Sequence, residues 1–142
     1  MKIDDVGFFK LLQSEMNADP DRFRLLGDAD TVFAIVMEDG RATFRVRVRF
    51  EELACVEVGP GAPDTVVDFS LVGPLTAWQA MFDDVLANGR ATGLETINSL
   101  VLLGDEVRLV GDDPMGLDKF SRFNQTLQEY LDGAARAAVA TT

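Results

Sequence analysis

The side chains of this chain that are suited to chemistry are almost all carboxylates: 24 aspartates and glutamates stand beside one cysteine and no histidine. Without histidine there is no Ser-His-Asp triad, no imidazole proton shuttle and no supply of the commonest metal ligand. Cys55 is the single thiol, so no internal disulfide can form and a zinc site is not expected. Acid–base work would fall to a carboxyl group in an apolar pocket, where burial raises its pKa. Asp68, on a strand, and Asp83, on a helix, are the candidates. Oxygen-only cation sites are conceivable at Asp28/Asp30 and Asp112/Asp113. Neither pair has the spacing of a calcium loop, and capping and turn formation account for both. The run Gly59–Asp64 is rich in glycine, but no Gly-Lys-Ser/Thr follows it, so it reads as a strand connection and not a phosphate cradle. Arg45, Arg47 and Arg49 alternate along one strand. They could hold an anion, but acids on neighbouring strands make cross-strand ion pairs on a wet face the simpler reading.

The elements that would position these residues come from a chain of 142 residues, read as one domain over 1–142. Hydrophobic content of 47% supports a sizeable core. A net charge of −11 and a pI near 4.3 exclude a nucleic-acid binder and disfavour anionic lipid surfaces. Ten arginines against three lysines fit a GC-rich bacterial genome. Apolar runs such as Leu100–Leu103 are too short for a membrane span, and Met1–Asp5 lacks a signal-peptide pattern. A cytoplasmic protein without a cofactor is expected; its oligomeric state is not legible. The small-residue tail Ala134–Thr142 is expected to fray.

Val6, Phe9, Leu12 and Met16 predict a helix over Val6–Asn17, with Asp4 or Asp5 before it. Asp19-Pro20 breaks the pattern, and Phe23–Leu26 forms a further turn of helix before Gly27. Thr31–Met37 is a strand ending in a Glu38-Asp39-Gly40 turn. In the next strand Phe44, Val46, Val48 and Phe50 alternate with the arginines, as in a half-buried sheet. A third strand, Leu53–Val58, has Ala54, Val56 and Val58 on one face. A fourth, Thr65–Leu71, has Val67, Phe69 and Leu71. Gly73-Pro74 opens a helix carrying Leu75, Trp78, Met81, Phe82 and Val85, which Asn88-Gly89 ends. A short helix over Gly93–Leu103 carries Leu94, Ile97 and Val101. A strand Glu106–Val110 follows between Gly104 and Gly111. Asp113 caps the last helix and Pro114 opens it, with Leu117, Phe120, Phe123, Leu127, Tyr130 and Leu131 on one face. The order predicts an α+β fold: a five-stranded, mainly antiparallel sheet with helices packed on one face.

The segment Leu103-Gly104-Asp105-Glu106-Val107-Arg108-Leu109-Val110-Gly111-Asp112 resembles the sterol carrier protein type 2 family. There a helix leads through a glycine into a short strand, and a second glycine opens the last helix. The tryptophan-bearing helix Leu75–Leu86 after the strand Val66–Leu71 fits too, and the resemblance covers Arg22 to Leu131. It departs where the family has lysines in the short strand, since Glu106 and Arg108 stand here. The resemblance implies a non-catalytic domain, with its lipid-binding core over 22–131. It would bind or transfer a sterol, fatty acid or fatty acyl derivative in an apolar tunnel between sheet and helices, with the C-terminal helix as a lid. The lining set would be Phe33, Ile35, Phe44, Val46, Val48, Trp78, Met81, Phe82, Leu94, Ile97, Val101, Phe120, Phe123 and Leu127. From pattern alone the same residues can simply fill a core. Two alternatives stand beside the carrier. One is an isomerase- or dehydratase-like enzyme using Asp68 or Asp83, disfavoured because such folds end on paired strands. The other is a scaffold with a vestigial cavity.

Overall fold

The computed structural model describes residues 1–140, and its first helix is set by an acid cap. The Asp5 carboxylate accepts the Gly7 N–H at 3.0 Å and starts α1, Val6–Ala18. Asp19 caps α2, Pro20–Arg24, with Pro20 at the first helical position. Strands β1 (Thr31–Asp39) and β2 (Ala42–Glu51) form a hairpin, and Gly40 at φ +60° supplies its turn. β3 (Ala54–Pro60), β4 (Phe69–Pro74) and β5 (Arg108–Val110) complete a sheet of order β3-β2-β1-β4-β5. Every pairing is antiparallel except β1 with β4, which run parallel. The sheet is therefore mixed and mostly antiparallel.

The parallel pair requires a crossover. Residues 61–68 provide its last part over the outer face, where Gly61 N–H bonds the Arg45 carbonyl and Asp68 N–H bonds the Val32 carbonyl at 2.7 Å. The expected strand Thr65–Leu71 thus begins only at Phe69, and Val67 lines an outer cavity instead of joining the core. The third strand also differs from expectation. Phe50 pairs with Cys55 and Arg49 with Glu57, so Val56 is an extra, bulged residue, 45% exposed, and Cys55 takes the inward place.

α3 (Leu75–Asn88) ends at Gly89 in the left-handed conformation and packs on β1 and β4. The expected helix Gly93–Leu103 is two pieces: a 3-10 turn, Gly93–Glu95, and α4, Ile97–Leu102, which the Thr96 hydroxyl caps. Leu94 falls in the 3-10 turn and is 69% exposed, so the expectation that it faces inward is not met. Asp113 accepts the Met115 N–H at 3.0 Å and opens α5, Pro114–Ala140, as expected.

The tail does not fray where it was expected to. α5 continues to Ala140, and Ala134 and Ala137 are buried. A methyl added to Gly133 would lie 3.5 Å from Glu15 Cβ, so small residues let α5 lie close against α1. Residues 141–142 lie outside the described part. No helix among the described residues is long and apolar enough to cross a membrane.

Candidate functional site

The inward faces of β1, β2 and β4 meet α1, α3 and α5 in one continuous apolar layer. Phe33, Ile35, Val46, Val48, Trp78, Met81, Phe82, Ile97, Phe120 and Leu127 are buried in it. Phe44, Val101 and Phe123 are partly buried and pack against it. Of the expected lining set only Leu94 stands apart. The lining set left out Phe9, Phe50, Phe69 and Tyr130, which the pattern had placed on apolar faces, and Phe8, which it had not; together they contribute much of the layer's aromatic surface. Their helical or strand spacing carried the signal.

Two ring series fill the layer. From Phe44, rings run to Phe9 (6.1 Å, stacked), Phe8 (5.2 Å) and Phe82 (4.9 Å). The other links Tyr130, Phe50, Phe33, Phe69 and Phe120 at 5.2 to 5.7 Å. Such edge-on and offset contacts are each worth about 0.5–1.5 kcal/mol beyond burial. Trp78 is anchored as well, its indole N–H donating to the Val36 carbonyl at 3.3 Å.

One of the described cavities opens onto this layer. It holds about 240 Å³ and is lined by Met37, Phe44 and Leu75 from the apolar side and by Asp4 and Asp39 at the rim. Another, about 490 Å³, lies on the outer side of the sheet, between the crossing loop, Val110 and the start of α5. It is bordered by Asp64, Asp68, Asp112 and Asp113 together with Val66, Val67 and Val110.

The carboxylates proposed as bases are not placed for that work. Asp68 accepts the Val32 N–H at 3.0 Å, the Thr31 hydroxyl at 2.9 Å and Lys119 Nζ at 3.3 Å. Burial opposes its charge, but these donors outweigh it and hold the carboxyl below its ordinary value. Asp83 is exposed and accepts from Gln79. Asp68 also does not pair with the arginine row. Arg47 pairs with Glu57 across strands as expected, whereas Arg49 pairs with Glu51 on its own strand. Among the described residues no group of acids, Cys55 included, is arranged to hold a metal ion.

Three solved structures share this arrangement of sheet and helices. A conserved hypothetical protein from Thermus thermophilus, described as possibly a sterol carrier protein, superposes with a TM-score of 0.70 at 16% identity, over 96% of this chain and 90% of that one. A sterol carrier protein 2 superposes with a TM-score of 0.71 at 14% identity, over 94% and 98%. The chain has a sterol carrier protein fold. The apo sterol carrier protein 2 of Yarrowia lipolytica is more distant, with a TM-score of 0.51 at 11% identity over 89% and 88%. No protein-family model matches the sequence, and no curated protein matches it.

In this version of the sterol carrier protein fold the last helix is held along its length. Near its start, Gly116 passes so close to Asp68 that an added methyl would fall 2.4 Å from that residue's carbonyl oxygen. Farther on, the Tyr130 hydroxyl donates to the Phe9 carbonyl at 3.0 Å, and Arg22 reaches Glu129 at 3.2 Å. Asp132 accepts the Ala91 N–H at 3.1 Å and the Gln128 amide at 2.8 Å. The stretch Glu129–Asp132 of α5 is thus tied to α1, to α2 and to the loop after α3.

Proposed function

We propose that this chain binds and transfers one apolar molecule of sterol or fatty-acyl type, without catalysis, in the layer between sheet and helices. The supporting observation is the continuity of that aromatic layer with solvent at Phe44, in a fold shared with sterol carrier proteins. The residues proposed to meet the ligand are the inward set, Phe44, Trp78, Phe82 and Phe120 foremost. Entry requires side chains to move aside, and the unbranched thioethers of Met37 and Met81 suit such repacking. Each methylene taken from water contributes about 0.8 kcal/mol, which can offset the ring contacts a ligand displaces. The proposed setting is the bacterial cytoplasm, with no nucleic-acid partner for so acidic a chain.

The filled layer favours one competing reading, a scaffold whose cavity is closed. Two measurements separate them. Purified protein is extracted and its lipids identified by mass spectrometry, and Trp78 fluorescence is followed during titration with long-chain and sterol ligands. A carrier yields a stoichiometric apolar ligand or a saturable change in emission. Empty protein whose tryptophan responds to none of these ligands is the scaffold.

A further inference from the structure

The sheet carries a second apolar surface, on the face away from the helices. Two cavities of about 490 and 250 Å³ adjoin there, and Val67, Ser70 and Val110 line both. The floor continues over Ala34 and Val36 on β1 and Val72 on β4. Val66, 86% exposed, stands at the wall, and Val110 is 46% exposed. The groove takes lining residues from β2, β1, β4 and β5, which are adjacent in the sheet. Three strand spacings give a span of about 14 Å. That is room for about four residues of extended chain.

The two cavities differ in charge. Asp64, Asp112 and Asp113 border the first, and Arg45 lines the second. The other charged side chains of the groove are neutralised: Asp68 by Lys119 at 3.3 Å, and Glu38 by Arg108 at 3.5 Å. Among the described residues no cation pairs with Asp64 or Asp112, and no acid pairs with Arg45. We propose that this groove docks an extended segment of another protein, basic at one end, apolar in the middle and acidic at the other. Its basic end would lie over Asp64 and Asp112, its apolar side chains on Val67, Val72 and Val110, and its acid at Arg45. The Ser70 hydroxyl can donate to or accept from its main chain. A second copy of this chain is a poor occupant, because each copy carries a net charge of −11. The proposal is independent of the carrier reading, since the groove and the aromatic layer lie on opposite faces of the sheet.

The probe is a fluorescein-labelled peptide, Lys-Lys-Val-Ile-Val-Glu, followed by fluorescence anisotropy at neutral pH and low salt. It should bind saturably, one per chain. A peptide with serines in place of its three apolar residues should bind at least about tenfold more weakly. The double variant Asp64→Asn/Asp112→Asn should also lose about tenfold. Asp83→Asn, at an exposed acid on α3, should change nothing. Arg45→Gln should weaken binding several-fold. General attraction of a cationic peptide to an acidic protein predicts the reverse there, because this variant makes the chain more negative. Thermal melts confirm that each variant folds. No binding, equal binding of the serine peptide, equal losses in the Asp83 and Asp64/Asp112 variants, or a gain in Arg45→Gln each overturns the proposal. Displacement of the peptide by an equal concentration of spermidine also overturns it, in favour of a small amine.

Discussion

The side-chain amide of Asn17 pairs with the backbone of Cys55 as a neighbouring strand would: it accepts the Cys55 N–H at 2.8 Å and donates to the Cys55 carbonyl at 2.9 Å. Gln13 donates to the same carbonyl at 3.0 Å. Cys55 lies beside the bulge in an edge strand, where ladder groups lack a partner, so α1 closes an edge that could otherwise recruit another chain.

Asn17→Ala should therefore cost about 1–3 kcal/mol, because it leaves partly buried backbone groups unpaired. Urea denaturation measures the loss, and hydrogen exchange at the Cys55 amide should accelerate. An unchanged midpoint with slow exchange at Cys55 would show that Gln13 and packing suffice.

Cys55 itself should be inert. Burial pushes its thiol up to about 12, only partly offset by a backbone hydrogen bond at Glu57 and by Tyr130. An aromatic disulfide reagent should leave the folded protein unmodified at pH 8 and titrate one thiol after denaturation. Rapid labelling of native protein would contradict the packing over this strand.

Tyr130 joins the last helix to the first through the Phe9 carbonyl. Tyr130→Phe leaves that acceptor without its donor and should cost about 1–2 kcal/mol. Amides near Tyr130 and Leu131 should exchange slowly in ligand-free protein, because tethers at Glu129, Tyr130 and Asp132 hold that stretch down. Fast exchange there, slowed by lipid, would restore the lid reading.

Two aspartates should give opposite pH signatures. Asp68 has its carboxyl held below the ordinary 3.8, so its ionised form stabilises the fold above that value and the contribution is lost as pH falls through the folded pKa. Asp68→Asn should destabilise at pH 7 and converge with the native protein in acid. Asp132 is raised by burial, which outweighs the bonds from Ala91 and Gln128, so its charge opposes folding once pH exceeds the ordinary 3.8, fully so above the folded pKa. Asp132→Asn keeps an acceptor for Ala91 and should gain stability relative to the native protein as pH rises to 7. Denaturation midpoints across pH 3–7 decide both; parallel curves for either pair would refute its assignment.

What the sequence determined by itself is what short-range physics governs. Asp5 and Asp113 announce helix starts because a carboxylate needs only the next two or three amides to act. Phe44, Val46, Val48 and Phe50 announce a half-buried strand because the pleat alternates regardless of what lies across it. That the residues expected to line a cavity face inward was legible for the same reason, save Leu94, whose local 3-10 turn broke the helical period. Tertiary structure decided the rest. The parallel register of Phe33 with Phe69, the bulge that put Cys55 inward and Val56 outward, and the loop that drew Val67 to the outer face depend on residues far apart in the chain. The small-residue tail read as fraying because composition cannot tell a segment with nothing to bury from one that lets a helix approach closely. Only α1 lying against Gly133 and Ala134 distinguishes them. The mouth at Phe44 was equally hidden, since its acids and apolar wall come from α1's entry, the β1–β2 hairpin and α3, and converge only when the sheet is built.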